Sequence, residues 1–296
     1  ATAAAVFKSA NIDHNATIYV IDSNATADSV GLNIELLDVA TTATFEVVLG
    51  MDGASAASTG DTTIKLDMVG AVTGGGNLAV TSAVGIATPI DHVVDFGAAV
   101  TLGTLNLTAG AGNATGIGGG LELEDIVGDA AVTTFTMTAG TGSTGDTAVG
   151  GIMLITDIAG AVSGTTFTIS SGAGAVSAYA GTGGAGGATE IVTLNGAISS
   201  TTFNLLTGAG AAGSTTGTGG AGGTLDLNEL IDGAITSTTV NLITGDGGAG
   251  LLNDADGDGG NGGAFINAGT FTGTINSALN ITSGSAGAAG AGTLTA

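Results

Sequence analysis

Apolar and polar residues alternate in a short segment that recurs along the whole chain. Alternation with a period of two is typical of a β-strand that turns one face to a core. We call these segments A strands. They start at Thr17, Thr44, Asn77, Thr104, Thr134, Thr166, Thr202, Thr239 and Ala278. Successive starts are 27 to 39 residues apart, a spacing that is typical of stacked repeat architectures.

A second apolar segment, which we call the B strand, precedes each A strand from the second repeat onward. B strands begin near Leu32, Thr63, Leu121, Ile152, Ile191 and Leu225. The connection from B to A has a constant length. The A strand starts six residues after the corner glycine at Gly128, Gly160, Gly196 and Gly233, and five residues after it at Gly273. This constancy predicts a tight corner, where glycine supplies either a positive φ or a close backbone approach.

The connection from A back to B varies in length and consists almost entirely of Gly, Ala, Ser and Thr. These loops lengthen along the chain, from Gly110–Gly119 to Gly245–Gly262. Insertions in a solenoid collect on one edge and often mark an interaction edge, although neutral drift explains the lengthening equally well. Ordered loops of this composition need partners for their backbone groups, and an adjacent subunit would supply them.

The two strands and two corners together predict the fold. We expect a single all-β domain spanning 1–296, a right-handed parallel β-solenoid of about nine rungs with glycine-rich loops on one edge. An antiparallel sandwich with Thr-rich strands is the alternative. In a solenoid, Phe135, Phe167 and Phe203 would stack inside, and the intervening Asn and Thr residues would form an outward ladder.

Incomplete B strands stand at both ends of the repeat pattern. Aligned on the corner, Val6 and Phe7 belong to the tail of a B strand and Ile12 to the apolar step after it. Thr293, Leu294 and Thr295 belong to the front of another B strand. Head-to-tail stacking of copies would complete one rung and propagate into a filament. A fragment of a longer repeat protein would give the same pattern.

Charge and composition exclude several functional classes. The formal net charge is −23, and Lys8 and Lys65 are the only basic side chains, so we expect no nucleic-acid partner. There is no cysteine, and no apolar run is long enough to predict a membrane span. The 57 glycines have no Gly-X-Y period and accompany a single proline, which excludes collagen.

The most polar loop contains Asp254, Asp256 and Asp258, followed by Gly259. This spacing matches the first half of an EF-hand loop, but Phe265 stands where the bidentate glutamate belongs. The loop is therefore either a calcium site completed by waters and carbonyls or a solvated acidic loop. No cofactor is otherwise required.

Catalysis has little support in the sequence. His14 and His92 are the only histidines and lie in different repeats, so no nucleophile–base pair is predicted. Glu122, Glu124 and Asp157 on neighbouring B strands could form a glycosidase pair, but outward carboxylates of this kind are usually solvated. We therefore expect no enzyme.

N-glycosylation sequons occur at five asparagines: Asn15, Asn24, Asn106, Asn113 and Asn280. In a chain rich in Asn and Thr, several would arise by chance.

The strand pattern, exemplified by Thr-Phe-Asn-Leu-Leu-Thr-Gly from Thr202 to Gly208, resembles secreted microbial surface proteins with Gly/Thr-rich β-strand repeats. These include filamentous adhesins, autotransporter passengers and surface-layer-like β-solenoids. The resemblance implies an extracellular or cell-surface location, with a signal peptide removed before Ala1, and a structural role. We expect a protein that self-assembles head to tail, and laterally through the glycine-rich loops, into a filament or sheath. The alternative is an adhesin or surface-layer-type module that presents these loops to glycans or cells.

Overall fold

A computed structural model gives the fold of the chain. It describes residues 4–7, 10–12, 14–20, 32–36, 39–49, 64–82, 92–112, 116–143, 148–176, 181–214, 217–250 and 258–289.

All regular structure in these residues is β-strand. The strands are β1 (Ala4–Phe7), β2 (Ala10–Ile12), β3 (Ala16–Val20), β4 (Leu32–Leu36), β5 (Val39–Thr41), β6 (Thr44–Leu49), β7 (Ile64–Met68), β8 (Val72–Thr73), β9 (Asn77–Ser82), β10 (His92–Phe96), β11 (Val100–Thr108), β12 (Leu121–Ile126), β13 (Ala130–Thr138), β14 (Met153–Ile158), β15 (Val162–Ser163), β16 (Thr166–Ser170), β17 (Thr189–Leu194), β18 (Ile198–Leu206), β19 (Leu225–Ile231), β20 (Ile235–Ile243), β21 (Phe265–Asn267), β22 (Thr270–Phe271) and β23 (Ile275–Thr282).

The strands form two parallel sheets. The B sheet runs in the order β1-β4-β7-β10-β12-β14-β17-β19-β21, with β22 beside β19. The A sheet runs β2-β5-β8-β11-β13-β15-β18-β20-β23, and β3, β6, β9 and β16 complete it. Every strand therefore pairs with its counterpart one repeat away. This topology confirms the β-solenoid and excludes the antiparallel sandwich.

The number of complete turns is smaller than the number of sequence repeats. Five successive turns, between residues 92 and 250, have strands in both sheets and most of a glycine-rich loop among the described residues. The prediction of about nine rungs differs from this count. The outer repeats also add strands to both sheets, but their loops lie largely outside the described residues.

The core consists of inward side chains stacked along the solenoid axis. Phe135, Phe167 and Phe203 lie one above another, as predicted, with ring centroids 4.5 and 5.1 Å apart. The parallel register places them in one column, because each pairs directly with the next. All three are buried, and offset aromatic stacking adds to the free energy gained by burying their apolar area.

The outward face of the A sheet carries the predicted ladder of amides and hydroxyls. Asn204 donates to Oγ1 of Thr168 at 3.2 Å, and Asn241 donates to Oδ1 of Asn204 at 2.8 Å. Asn280 continues the series by donating to Asn241 at 2.9 Å. Each amide thus ties one turn to the preceding one and favours strict register, since a slipped strand would lose these bonds.

Close approach explains the glycines of the constant corner. A Cβ on Gly160, Gly196 or Gly233 would overlap the carbonyl oxygen of the equivalent glycine one turn earlier. None of these three glycines has a φ in the left-handed region. Glycine is therefore required at this corner by the close approach of the backbone of the preceding turn, and not by a positive φ.

The described parts of the variable loops form arms along one edge of the solenoid. We call them glycine arms and divide each into an outgoing limb after the A strand and a returning limb before the next B strand. Outgoing limbs donate N–H groups to the outgoing limb of the next arm, and returning limbs donate to the next returning limb. The donors recur every third residue, as at Thr207, Gly210 and Gly213 in an outgoing limb and at Gly219, Gly222 and Leu225 in a returning limb. Three residues per turn is the period of the polyproline II helix, which has no internal hydrogen bonds and leaves its backbone groups free for neighbours.

A second set of bonds joins the outgoing and returning limbs. Gly151 donates to Gly140 within one arm, and Gly172 of the next arm donates back to Gly151. Many backbone groups of the described arm residues are thus bonded within the same chain. The sequence-based argument that an adjacent subunit must supply these partners is wrong, and lateral assembly through the arms stays a prediction without that support.

Candidate functional site

A column of carboxylates runs along the outside of the B sheet. The register pairs Asp67 with Asp95, Asp95 with Asp125, and Asp125 with Asp157, so four successive turns place an aspartate at the same height. Neighbouring strands lie about 4.8 Å apart, and like charges directly opposite each other are destabilising. We call these residues the aspartate column.

Burial and mutual repulsion perturb the column. Burial raises the pKa of Asp125, and the charges of Asp157 and Asp95 raise it further. Burial also raises the pKa of Asp157, partly offset by hydrogen bonds from the Ile158 N–H and the Asn195 amide. Oδ1 of Asp95 and Oδ1 of Asp125 are shielded from solvent and have no hydrogen-bond partner among the described residues. The column therefore stores unfavourable electrostatic energy at neutral pH.

Lys65 offsets part of this repulsion. Its ammonium lies 3.2 Å from Oδ2 of Asp95 and 2.5 Å from Oε2 of Glu124. Burial lowers the pKa of Lys65, but the hydrogen bonds to Glu124 and Asp95 outweigh this effect and hold it above its ordinary value. One of the two basic side chains in the sequence is thus used to bridge carboxylates on two successive turns.

We expect the aspartate column to make the fold more stable in mild acid. When a carboxyl has a higher pKa in the folded than in the unfolded chain, the folded state binds the proton more tightly, so stability rises as the pH falls through the folded pKa. The thermal unfolding midpoint should therefore rise as the pH is lowered through the raised pKa values of Asp125 and Asp157 towards the ordinary aspartate pKa of about 3.9. Asp125→Asn should raise the midpoint at pH 8 by a few degrees and flatten this dependence.

Asp258→Asn is the matched control for this prediction, because it removes the same charge from an exposed residue of an arm. Equal effects of the two substitutions at pH 8 would show that net charge, and not the column, sets the stability. The pKa of Asp246 is shifted in the opposite direction, because the N–H and hydroxyl of Ser285 donate hydrogen bonds to its carboxylate. Protonation of Asp246 therefore lowers the stability of the fold only in stronger acid.

A second buried arrangement links the base of each arm to its neighbours through a hydroxyl group. The hydroxyl of Thr207 donates to the carbonyl of Gly223 at 2.5 Å and accepts from the N–H of Gly245, one turn later, at 2.8 Å. Thr244 and Ser171 stand at the equivalent positions of the adjacent turns and make the same two bonds. We call these three residues the hydroxyl column; they hold both limbs of an arm and the next arm together.

Neither column was predicted from the sequence, although a signal for the first exists. When the B strands are aligned on the corner glycines, Asp125 and Asp157 each stand three residues before Gly128 and Gly160. The hydroxyl column has a weaker signal, because Thr and Ser are common throughout the chain. Which of these hydroxyls are buried becomes clear only from the packing of the arms in the folded structure.

The two ends of the A sheet differ in how well their apolar side chains are covered. At one end, which we call the β23 face, Leu279 and Ile281 are 43% and 53% exposed. Both continue inward columns, since Leu279 pairs with buried Val240 and Ile281 with buried Leu242. At the other end, the β3 face, Ile18 is half-buried.

The residues predicted for assembly lie partly within the described structure. Val6 and Phe7 are in β1, the first strand of the B sheet, as the strand alignment made from the sequence placed them. Ile12 is in β2, but its predicted position is wrong by two residues: Ala10 pairs with Val39 and so takes the apolar step after the corner, whereas Ile12 pairs with Thr41. Thr293, Leu294 and Thr295 lie outside the described residues. Their role in assembly stays a prediction.

The predicted calcium loop is only partly described. Asp254 and Asp256 lie outside the described residues, whereas Asp258 is exposed and its carbonyl accepts a hydrogen bond from Gly219. Within the residues that the structure describes, no group of three or more His, Asp or Glu side chains could hold a metal ion. Calcium binding by this loop stays a prediction.

The residues weighed for catalysis are separated or engaged in structural bonds. His14 precedes β3 in the A sheet, whereas His92 begins β10 in the B sheet. Glu122 accepts a hydrogen bond from the Thr156 hydroxyl at 2.8 Å, and Glu124 is paired with Lys65.

The sequon asparagines occupy different environments. Oδ1 of exposed Asn15 accepts the N–H of Thr44 at 3.1 Å, and Oδ1 of half-buried Asn106 accepts the hydroxyl of Thr108 at 3.3 Å. Asn280 belongs to the outward ladder, and Asn24 and Asn113 lie outside the described residues. Glycosylation of these residues stays a prediction.

Comparisons with known protein families, with characterised proteins and with solved structures found no match. Nowhere in the described part of the chain is there a helix of the length and apolar character that crossing a bilayer requires.

Proposed function

We propose that the protein is an extracellular structural subunit that assembles end to end, with the β23 face of one copy seated on the β3 face of the next. The observation that carries this proposal is the exposure of core columns at the β23 face. Leu279 and Ile281 are already about half buried, so each would contribute roughly 1 kcal/mol if a partner buried the rest. Among the described residues, their strand β23 has a neighbouring strand on one side only, so its outer backbone groups are available to another strand.

A second copy fits this face because the columns begin and end with compatible side chains. The column that ends at Leu279 begins at Ala16, and the column that ends at Ile281 begins at Ile18. Stacking would set Leu279 over the small Ala16 and Ile281 over Ile18, in the parallel register used throughout the solenoid. Such a contact is heterologous, and repetition would extend it into a filament.

Charge sets the conditions for this assembly. Copies with a formal net charge of −23 repel one another, and the sequence has only two basic side chains to offset this. Salt at 0.1 M shortens the range of the repulsion to about 10 Å. We therefore expect end-to-end association to strengthen with ionic strength, as apolar burial takes over from long-range repulsion.

The extracellular location rests on the resemblance to secreted Gly/Thr-rich repeat proteins and on the acidic composition. Labelling of intact source cells with a membrane-impermeant amine reagent would test it, because Lys8 and Lys65 provide reactive groups. Labelling only after cell lysis would contradict a surface location.

Leu279→Glu tests the assembly itself. The substitution places a charge on the β23 face, where burial against a second copy would be costly, so association should weaken at least tenfold. Sedimentation velocity over a range of protein concentrations in 0.3 M salt, with electron microscopy of the same samples, measures the effect. Circular dichroism confirms that the variant is folded.

Thr282→Glu is the matched control, since it adds the same charge to the same strand at an outward position. We expect it to assemble like the unmodified chain. A wild-type chain that stays monomeric at high concentration and high salt would contradict end-to-end assembly. A monomeric rod that also binds carbohydrate would favour the adhesin alternative.

A further inference from the structure

The outermost described limb of the glycine arms, residues 283–289, has backbone donors that lack an acceptor within the described part of the chain. Each of the five preceding outgoing limbs that the structure describes, from the one at Ala109 to the one at Thr244, donates N–H groups to the limb that follows it. The donors to this limb and their acceptors are Thr244 to Thr282, Gly247 to Ser285 and Gly250 to Ala288. The equivalent donors of the limb itself belong to Ser283, Ala286 and Ala289. These residues are exposed, and their N–H groups have no acceptor among the described residues.

The donors have the spacing of a polyproline II edge. They recur every third residue, and the helix rises about 3.1 Å per residue, so they lie roughly 9 Å apart. An edge of this kind is comparable to the exposed edge of a β-sheet, where unpaired backbone groups bind an additional strand. A complementary chain must present carbonyl groups at the same interval.

The fit also restricts the side chains of a bound segment. Along the stack, glycines sit so close to the preceding limb that a Cβ on Gly284 or Gly287 would overlap the carbonyl of Gly245 or Gly248. The carbonyls of Gly284 and Gly287 would restrict the next segment in the same way. The segment therefore fits best with glycine at two positions three residues apart.

We propose that residues 283–289 bind a glycine-rich polyproline II segment supplied in trans, which adds to the arm stack as one more limb. The limb contains no charged residue, so it accepts an uncharged segment despite the acidity of the chain. The β3 face of a second copy does not supply such a segment, because residues 21–31, which follow β3, contain a single glycine. This binding goes beyond end-to-end assembly and uses the arms instead of the sheets.

The experiment is a titration of isotope-labelled protein with a blocked peptide that copies residues 282–289, Thr-Ser-Gly-Ser-Ala-Gly-Ala-Ala. This peptide is uncharged and has glycines three residues apart. Amide chemical shifts of Ser283, Ala286 and Ala289 should change in a saturable manner. A peptide in which alanine replaces the glycine copied from Gly284 should bind at least tenfold more weakly. The Leu279→Glu chain is used, so that the outcome does not depend on end-to-end stacking.

Ala286→Pro provides the sharpest variant. Proline keeps the polyproline II backbone but removes the middle donor, so the peptide should bind about tenfold more weakly. Ala288→Pro is the matched control, because it makes the same change where the N–H has no hydrogen bond within the described structure and lies outside the donor series. No saturable shift with the glycine peptide, or equal binding by the two proline variants, would overturn the proposal. Shifts confined to residues outside 283–289 would overturn it as well.

Discussion

Gly172→Ala is expected to disrupt the arm stack and to cost about 3 kcal/mol or more of folding free energy. The added Cβ would overlap the carbonyl oxygen of Gly140 and lie 2.7 Å from the backbone nitrogen of Gly151. Both are backbone atoms of neighbouring limbs that are held by their own hydrogen bonds, so they cannot rotate away as a side chain would. The cost should therefore lie at or above the upper end of ordinary overpacking, about 1–3 kcal/mol.

Thermal unfolding and amide hydrogen exchange measure this effect. The unfolding midpoint should fall by roughly 5 °C or more, and the amides of Gly151 and Gly187 should lose protection. Gly97→Ala is the matched control. Gly97 is exposed, its φ lies outside the left-handed region, and an added Cβ would approach no atom closer than 3.5 Å. Equal effects of the two substitutions would contradict a stack maintained by close backbone approach.

Thr207→Val is expected to cost about 2–6 kcal/mol, although it preserves the shape of the side chain. The carbonyl of Gly223 and the N–H of Gly245 both depend on the Thr207 hydroxyl, which is buried. Removing the hydroxyl leaves a buried acceptor and a buried donor without partners, at about 1–3 kcal/mol for each group. The loss should be local to the two arms that the hydroxyl joins, because each turn of a solenoid contacts only its neighbours.

Site-resolved hydrogen exchange is the appropriate measurement for Thr207→Val, since long repeat arrays need not unfold in a single step. The Gly245 amide should exchange markedly faster, while amides between residues 121 and 138 keep their protection. Thr236→Val serves as control, because Thr236 is exposed on the outward face of β20. If Gly245 stays protected in Thr207→Val, the hydroxyl does not hold the arms together.

The hydroxyl column also accounts for a change of residue type along the chain. Ala109 and Ala139 occupy the equivalent positions of earlier turns. There the N–H of Gly140 donates directly to Gly119, so no hydroxyl is needed. In later turns the Thr and Ser hydroxyls accept the corresponding N–H. At this position the N–H of the next turn is therefore bonded either directly to a backbone carbonyl or to a Ser or Thr hydroxyl. It has an acceptor in both arrangements.

The sequence by itself determined the solenoid and its core. Alternation at Phe167 and Ile169 predicts which side of the strand is buried, because successive side chains of a strand point to opposite faces. The regular return of this pattern then predicts columns, and the stacked phenylalanines and the Asn204–Asn241 contact follow from register alone. These features depend on the spacing of residues within a strand and on the return of the same strand pattern, and both can be read directly from the sequence.

Only the tertiary structure decided what the glycine-rich segments do. The sequence around Gly172 does not distinguish an ordered limb from a flexible linker, because the residues that Gly172 contacts, Gly140 and Gly151, belong to another arm. The aspartate column likewise depends on β10, β12 and β14 lying side by side, which places Asp95, Asp125 and Asp157 in one row. Both features consist of contacts between residues about thirty positions apart. Their physical cause is the stacking of turns, so they exist only once the whole solenoid has formed.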